Sequence, residues 1–197
     1  MDMISHTPLV VVLAGPNGAG KSTSAPYLIK DALAIDEFVN ADTIAQGLSA
    51  YRPDNAAVTA AKVMLERLRA LASLRRDFAF ETTLSGRSYA RWLRELQAAG
   101  YRTQLIFLSL PSADLAVARV ADRVRRGGHH VQDAVIRRRF VAGLSNLFSG
   151  YMHVVDGWMI YDNADVVSPR PVASQAFGGS AVVADAEAWT SLKELQA

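Results

Sequence analysis

Leu9-Val10-Val11-Val12-Leu13-Ala14-Gly15-Pro16-Asn17-Gly18-Ala19-Gly20-Lys21-Ser22 is where the fold of this chain becomes legible. A β-branched apolar run from Leu9 to Leu13 stops at a glycine-rich turn, and the residues from Gly20 to about Leu33 read as a helix. Residues 15–22 fit the phosphate-loop pattern without a gap: two glycines five apart, then lysine and a hydroxyl residue. Glycines let successive backbone amides turn toward phosphate oxygens, and the helix N-terminus adds partial positive charge. Lys21 is expected to reach the terminal phosphates of ATP or GTP and Ser22 to hold magnesium. The nucleotide-binding set is Gly15, Pro16, Asn17, Gly18, Ala19, Gly20, Lys21, Ser22 and Thr23. The loop leaves the reaction open, because kinases, switches and mechanical ATPases share it.

Outward from this turn, strands and helices alternate with no repeat and no interdomain linker. Phe38–Val39, Phe78–Phe80, Thr103–Leu108 and Trp158–Tyr161 read as further strands. Val58, Ala61, Leu65, Leu68 and Ala72 recur at helical spacing. A helix from about Ala113 to Arg126 breaks at Gly127-Gly128, read as a mobile joint, and another runs from near Asp133 through Leu147. The expected fold class is α/β, a three-layer P-loop NTPase sandwich. Its mainly parallel sheet has about five or six strands with helices on both faces. One domain, 1–197, is expected, with an arginine-rich lid at about 119–140. A C-terminal appendage at about 165–197 is read as short strands and a terminal helix.

The 197 residues can enclose a real apolar core, and half of them are hydrophobic, as in an ordinary globular protein. No cysteine is present, which excludes disulfides and thiolate-ligated metals. Pro8 to Ala14 is too short to span a bilayer and lacks the pattern of a signal peptide, so no membrane association is expected and the cytoplasm is the default location. Net charge is only +2, yet arginine outnumbers lysine 17 to 4, and seven arginines fall between residues 119 and 139. Such guanidiniums suit nucleic-acid backbone or the phosphates of a bound nucleotide or sugar nucleotide. Trp92, Trp158 and Trp189 lie on separate elements and read as core or cover residues, not a base-stacking platform, which disfavours nucleic acid.

Taken with the phosphate loop, several stretches resemble the zeta toxin family over roughly residues 8 to 165. They are Val39-Asn40-Ala41-Asp42, Phe80-Glu81-Thr82-Thr83-Leu84-Ser85, Arg123 through Gly127-Gly128-His129, Ile136 through Phe140, and Tyr161-Asp162-Asn163. The resemblance implies a P-loop kinase with the fold of nucleotide kinases. It would phosphorylate a sugar hydroxyl of UDP-N-acetylglucosamine, and a small antitoxin protein would block nucleotide entry. Gln132, where relatives usually carry proline, and Ala142-Gly143, where an arginine-serine pair is expected, depart from the pattern in the lid and acceptor region.

Asp42 follows the second strand, at the carboxyl edge of the sheet beside the phosphate loop. The resemblance makes it the base that takes or orients the proton of the attacking hydroxyl; a plain helix N-cap before Thr43-Ile44-Ala45 is the alternative. Glu81 ends an apolar strand, a costly place for a carboxylate without a partner or ligand. The resemblance has it bind the acceptor, with Thr82 and Thr83 donating further hydrogen bonds; support of magnesium or water is the alternative. Arg123 and Arg139 are the lid residues expected to meet the transferring phosphoryl group. Arg126 is a reserve, and Arg125, Arg137 and Arg138 are read as surface charge. His129 and His130 are read as lid-shaping, and Asp162 and Asn163 as support for the adenine or phosphate loop, or as turn formers. Two rival readings remain: another small-metabolite or nucleoside kinase, and a nucleotide-dependent switch whose arginine face binds a partner.

Overall fold

The computed structural model describes residues 6–128, 130–165 and 168–196, with the backbone alone at 53 and 54. His129 of the lid reading lies outside the described residues, as do residues 166 and 167, where the C-terminal strands were expected to begin.

β1 (Leu9–Ala14) enters the core with Val10 to Ala14 fully buried on both sides of the pleat. A strand whose alternate side chains are all dry is covered by helices on both faces, the arrangement an unbroken β-branched run calls for. β1 pairs in parallel with β3 (Phe78–Thr82) on one side and β4 (Arg102–Ser109) on the other. β2 (Phe38–Val39) lies outside β3, and β5 (Gly157–Asp162) outside β4, both parallel. Among the described residues the sheet has seven strands, in the order β2-β3-β1-β4-β5-β6-β7. The expectation of five or six is corrected by β6 (Arg170–Gln175) and β7 (Ala181–Val183), which add antiparallel to β5. The stretch read as an appendage thus extends the sheet.

The helix after the phosphate loop is short as an α-helix, α1 (Lys21–Ala25), and continues from Pro26 as a wider π-helical turn to Asp31. A proline here lacks the N–H that an α-helical ladder would use, so the ladder changes register where the ring sits. α2 (Ala41–Leu48) and α3 (Ala57–Ser73) separate β2 from β3. The buried face of α3 is Ala60, Met64, Leu68 and Leu71, whereas Val58 and Leu65, counted from the spacing as apolar-face residues, are exposed. α4 (Ser88–Ala98) sets Trp92 against Phe78 and Phe80. α5 (Ala113–Arg125) and α6 (Asp133–Ser149) join β4 to β5, and α7 (Ala186–Glu194) closes the chain. Half-buried Trp189 of α7 stacks on buried Trp158 of β5 with ring centroids 6.1 Å apart, so one tryptophan covers another at the edge of the core.

No helix among the described residues is long and apolar enough to cross a membrane.

Candidate functional site

The carboxyl ends of β1, β2 and β3 open into one cleft of about 600 Å³, lined by the phosphate loop, the start of α2, the end of β3 and the facing sides of α5 and α6. Chain direction is what puts it there: parallel strands release their loops at the same sheet edge, where ligands of open α/β sheets bind.

Gly15 leaves β1 at φ 143°, and a Cβ there would sit 2.3 Å from the Leu108 carbonyl oxygen. Only glycine lets the loop turn this close to β4. The loop brings Lys21 back over itself, its Nζ donating to the carbonyls of Gly15 and Pro16, both at 2.9 Å. Glu81 Oε1 stands 3.6 Å from the same nitrogen, and Lys21 is only 5% exposed. Burial lowers the lysine pKa below its usual value; Glu81 and Asp42 pull it back up, and Arg123 reinforces the lowering. A cation held under this strain gains from any phosphate brought beside it.

Glu81 is brought to the Ser22 side of the loop. Ser22 Oγ donates to Glu81 Oε2 at 2.9 Å, and Asn40 Nδ2 donates to the same oxygen at 2.7 Å. A hydroxyl has one hydrogen and two lone pairs; with the hydrogen spent on Glu81 and one lone pair facing Asn40 Nδ2 at 3.4 Å, the other is left for a cation. Among the described residues no group of three histidine, cysteine or acidic side chains forms a metal cage. One hydroxyl beside one carboxylate, at a loop made for phosphates, is the donor set that fits magnesium, an ion that keeps waters and takes phosphate oxygens.

The N-cap of α2 is Asn40, whose Oδ1 accepts from the amides of Asp42 (2.7 Å) and Thr43 (3.2 Å), so the capping alternative for Asp42 is corrected. Asp42 sits in the first turn, exposed, on the wall of the cleft that holds Lys21 and Ser22. Thr82 and Thr83 line the same wall. Thr82 Oγ1 accepts from the Leu84 amide at 3.1 Å, and the Thr83 and Ser85 hydroxyls bond at 3.0 Å.

Arg123, Arg126 and Arg139 line the opposite side, with Arg119. Arg119 was grouped with the others by sequence, yet its guanidinium donates to the carbonyls of Asn163 (2.8 Å) and Ala164 (2.7 Å), tying α5 to the end of β5. Arg125 pairs with Asp122 and Arg137 with Asp114, on the surface. Asn163, 1% exposed, donates to the Ala19 carbonyl at 2.7 Å and so braces the phosphate loop. Asp162 instead accepts from the Ala164 amide and from Arg170, a turn former. Of the two roles open to Asn163 the contact to Ala19 is the phosphate-loop one; the structural parts of Arg119 and Asn40 are not legible in the sequence in the same way, though an asparagine two residues before Asp42, at a strand-to-helix turn, is the available signal for Asn40.

α6 carries Arg139 near its start and grips the loop after β3 further along. Asn146 Nδ2 donates to the Leu84 carbonyl at 2.8 Å, and Gly143 passes so close that a Cβ would lie 2.5 Å from the Thr83 carbonyl oxygen. The departure at Ala142-Gly143 therefore brings α6 against the wall that bears Thr83. Glycine to alanine within an exposed helix stabilises by about 1 kcal/mol. Here the clash is with backbone, and G143A is expected to reverse that sign, destabilising by about 1–3 kcal/mol. Denaturant titration checks it; a gain in stability would mean that α6 yields freely.

The AAA domain family profile matches residues 10–140. An uncharacterized protein of Haemophilus influenzae is 25% identical over 130 residues, covering 66% of this chain and 91% of its own length. Among solved structures, the AvrRxo1-ORF1:AvrRxo1-ORF2 complex with sulphate ions aligns at TM-score 0.78 and 16% identity, over 98% of this chain and 66% of that one. The same complex with ATP gives 0.77 and 17%, over 98% and 65%. The PezAT chromosomal toxin-antitoxin system of Streptococcus pneumoniae gives 0.66 and 19%, over 97% and 79%. The chain spans just under two thirds of the AvrRxo1 chain, and identities this low establish a shared fold.

Proposed function

The chain belongs to the AAA domain family, and on that premise we propose that it is a zeta toxin-like kinase moving the γ-phosphoryl group of ATP or GTP to a small-molecule hydroxyl. The observation that carries this reading is the meeting of Lys21, Ser22, Glu81 and Asp42 in one cleft, with arginines facing them. A nucleotide switch needs the first two; an exposed carboxylate beside them, at the acceptor wall, is what transfer requires.

In this mechanism the loop amides and Lys21 hold the β- and γ-phosphates. Magnesium at Ser22, when bound, neutralises charge on the phosphate oxygens. Asp42 accepts the hydrogen of the acceptor hydroxyl and aligns its oxygen with the γ-phosphorus, while Arg123 and Arg139 balance charge on the transferring group. Glu81 supports the Ser22 side, and Thr82 and Thr83 offer hydroxyls to the acceptor. The ATP in the AvrRxo1 structure supports ATP as donor, and PezAT, a toxin-antitoxin system, supports an antitoxin protein as a partner. UDP-N-acetylglucosamine is the leading acceptor, on the resemblance of the motifs.

Purified protein incubated with ATP or GTP, magnesium and a panel of sugar nucleotides, nucleosides and small metabolites is expected to yield phosphorylated UDP-N-acetylglucosamine by mass spectrometry. Product on another compound keeps the kinase and replaces the acceptor. Steady hydrolysis with no product on any acceptor, stimulated by a protein or nucleic acid, would overturn transfer in favour of a switch.

A further inference from the structure

Asn40 follows β2 directly in a nearly dry position, 7% exposed, with both ends of its amide engaged. Oδ1 accepts the first free amides of α2, from Asp42 and Thr43. Nδ2 donates to Glu81 Oε2 at 2.7 Å and lies 3.4 Å from Ser22 Oγ. We infer that Asn40 is a positioning residue that locks the acceptor-side helix to the metal-side carboxylate, so that one planar amide sets both the start of α2, which carries Asp42, and the orientation of Glu81 toward Ser22. This rests on the kinase reading above.

The residue type follows from the two jobs. Aspartate caps a helix but has no hydrogen to donate, and would set a second carboxylate against Glu81. Serine caps equally well but is too short to cap and reach Glu81 together. Only a short amide offers an acceptor and a donor about 2 Å apart on opposite branches. With Asn40 in place, Glu81 Oε2 is fixed where it takes the Ser22 hydrogen, and one serine lone pair is left to the cleft.

The test is calorimetric ATP uptake at stepped magnesium chloride for wild type, Asn40→Ser, Glu81→Gln and the double variant. Partners that orient a metal ligand are worth about 10- to 100-fold in metal affinity or activity. Asn40→Ser is expected to raise the magnesium needed for half-maximal ATP uptake about 10-fold at an unchanged melting temperature, because the cap survives. Glu81→Gln should do the same, and the double variant should be no worse than the worse single, since both act through one contact. A wild-type magnesium dependence in Asn40→Ser, or additive effects in the double variant, would overturn the inference. If Asn40→Ser melts early, Asn40→Asp, which keeps the cap and loses the donor, replaces it; wild-type behaviour there overturns the inference equally. Lys21→Met separates the levels. If wild type takes up no ATP, or Lys21→Met takes it up as wild type does, the kinase reading falls and the inference with it. If both behave as expected and the Asn40 variants follow wild type, the inference alone falls.

Discussion

Lys21→Met is expected to weaken magnesium-ATP binding about 10- to 100-fold, the worth of a charged hydrogen bond to phosphate. Turnover should fall about 10³-fold, because the same group faces charge that shifts as the phosphoryl group leaves. The fold should be indifferent. Lys21 is 5% exposed and bonded to two carbonyls of its own loop, and burial lowers its pKa, so the cation is a cost to the nucleotide-free protein. Methionine fills the hollow without that cost. Glu81 keeps its donors from Ser22 and Asn40, so losing the lysine does not strand it. Differential scanning calorimetry should find the variant melting no lower than wild type, while titration calorimetry finds ATP uptake nearly gone. Retained uptake and turnover would remove the phosphate loop from the account, and with it everything argued about the cleft.

Asp42→Asn is expected to separate chemistry from binding. The amide is isosteric but cannot take a proton, so turnover should drop about 10²- to 10⁴-fold, the usual contribution of a positioned general base. Asp42 is exposed and does not cap α2, a job held by Asn40, so the variant loses only the favourable charge in the helix's first turn, about 0.3–1 kcal/mol. Magnesium-ATP affinity should stay within about twofold, since removing charge on the cleft wall perturbs Lys21 only at a distance. Single-turnover kinetics with the acceptor found by the panel measure the first effect and calorimetry the second. Undiminished product formation would strip Asp42 of its role while leaving nucleotide binding standing.

Residues 9–22 made the strand, the turn and the helix start readable because every determinant lies within a few positions: β-branched side chains, glycines where the backbone must turn, and lysine and serine at the helix N-terminus. The parallel sheet followed from the alternation of such segments. The helix α3 is legible, and Leu68 and Ala72 of its expected stripe pack in or against the core, but Val58 and Leu65 do not, although they fit an apolar stripe as well as Ala60, Met64 and Leu71 do. Which stripe is buried depends on what packs against the helix. β6 and β7 carried weak signals for a similar reason: all three residues of β7 are exposed, so no dry face marks it as a strand.

What the sequence determined by itself, then, is the phosphate-binding turn and the α/β class, since local sterics and hydrogen-bonding options are written in neighbouring residues. The tertiary structure alone decided that Asn40 meets Glu81 across 41 positions, that Arg119 clamps Asn163 and Ala164 across 44 and 45, and that Asn163 braces Ala19 across 144. Those contacts are a few ångströms of polar geometry created when strands distant in the chain end at one sheet edge. No spacing along the chain encodes them.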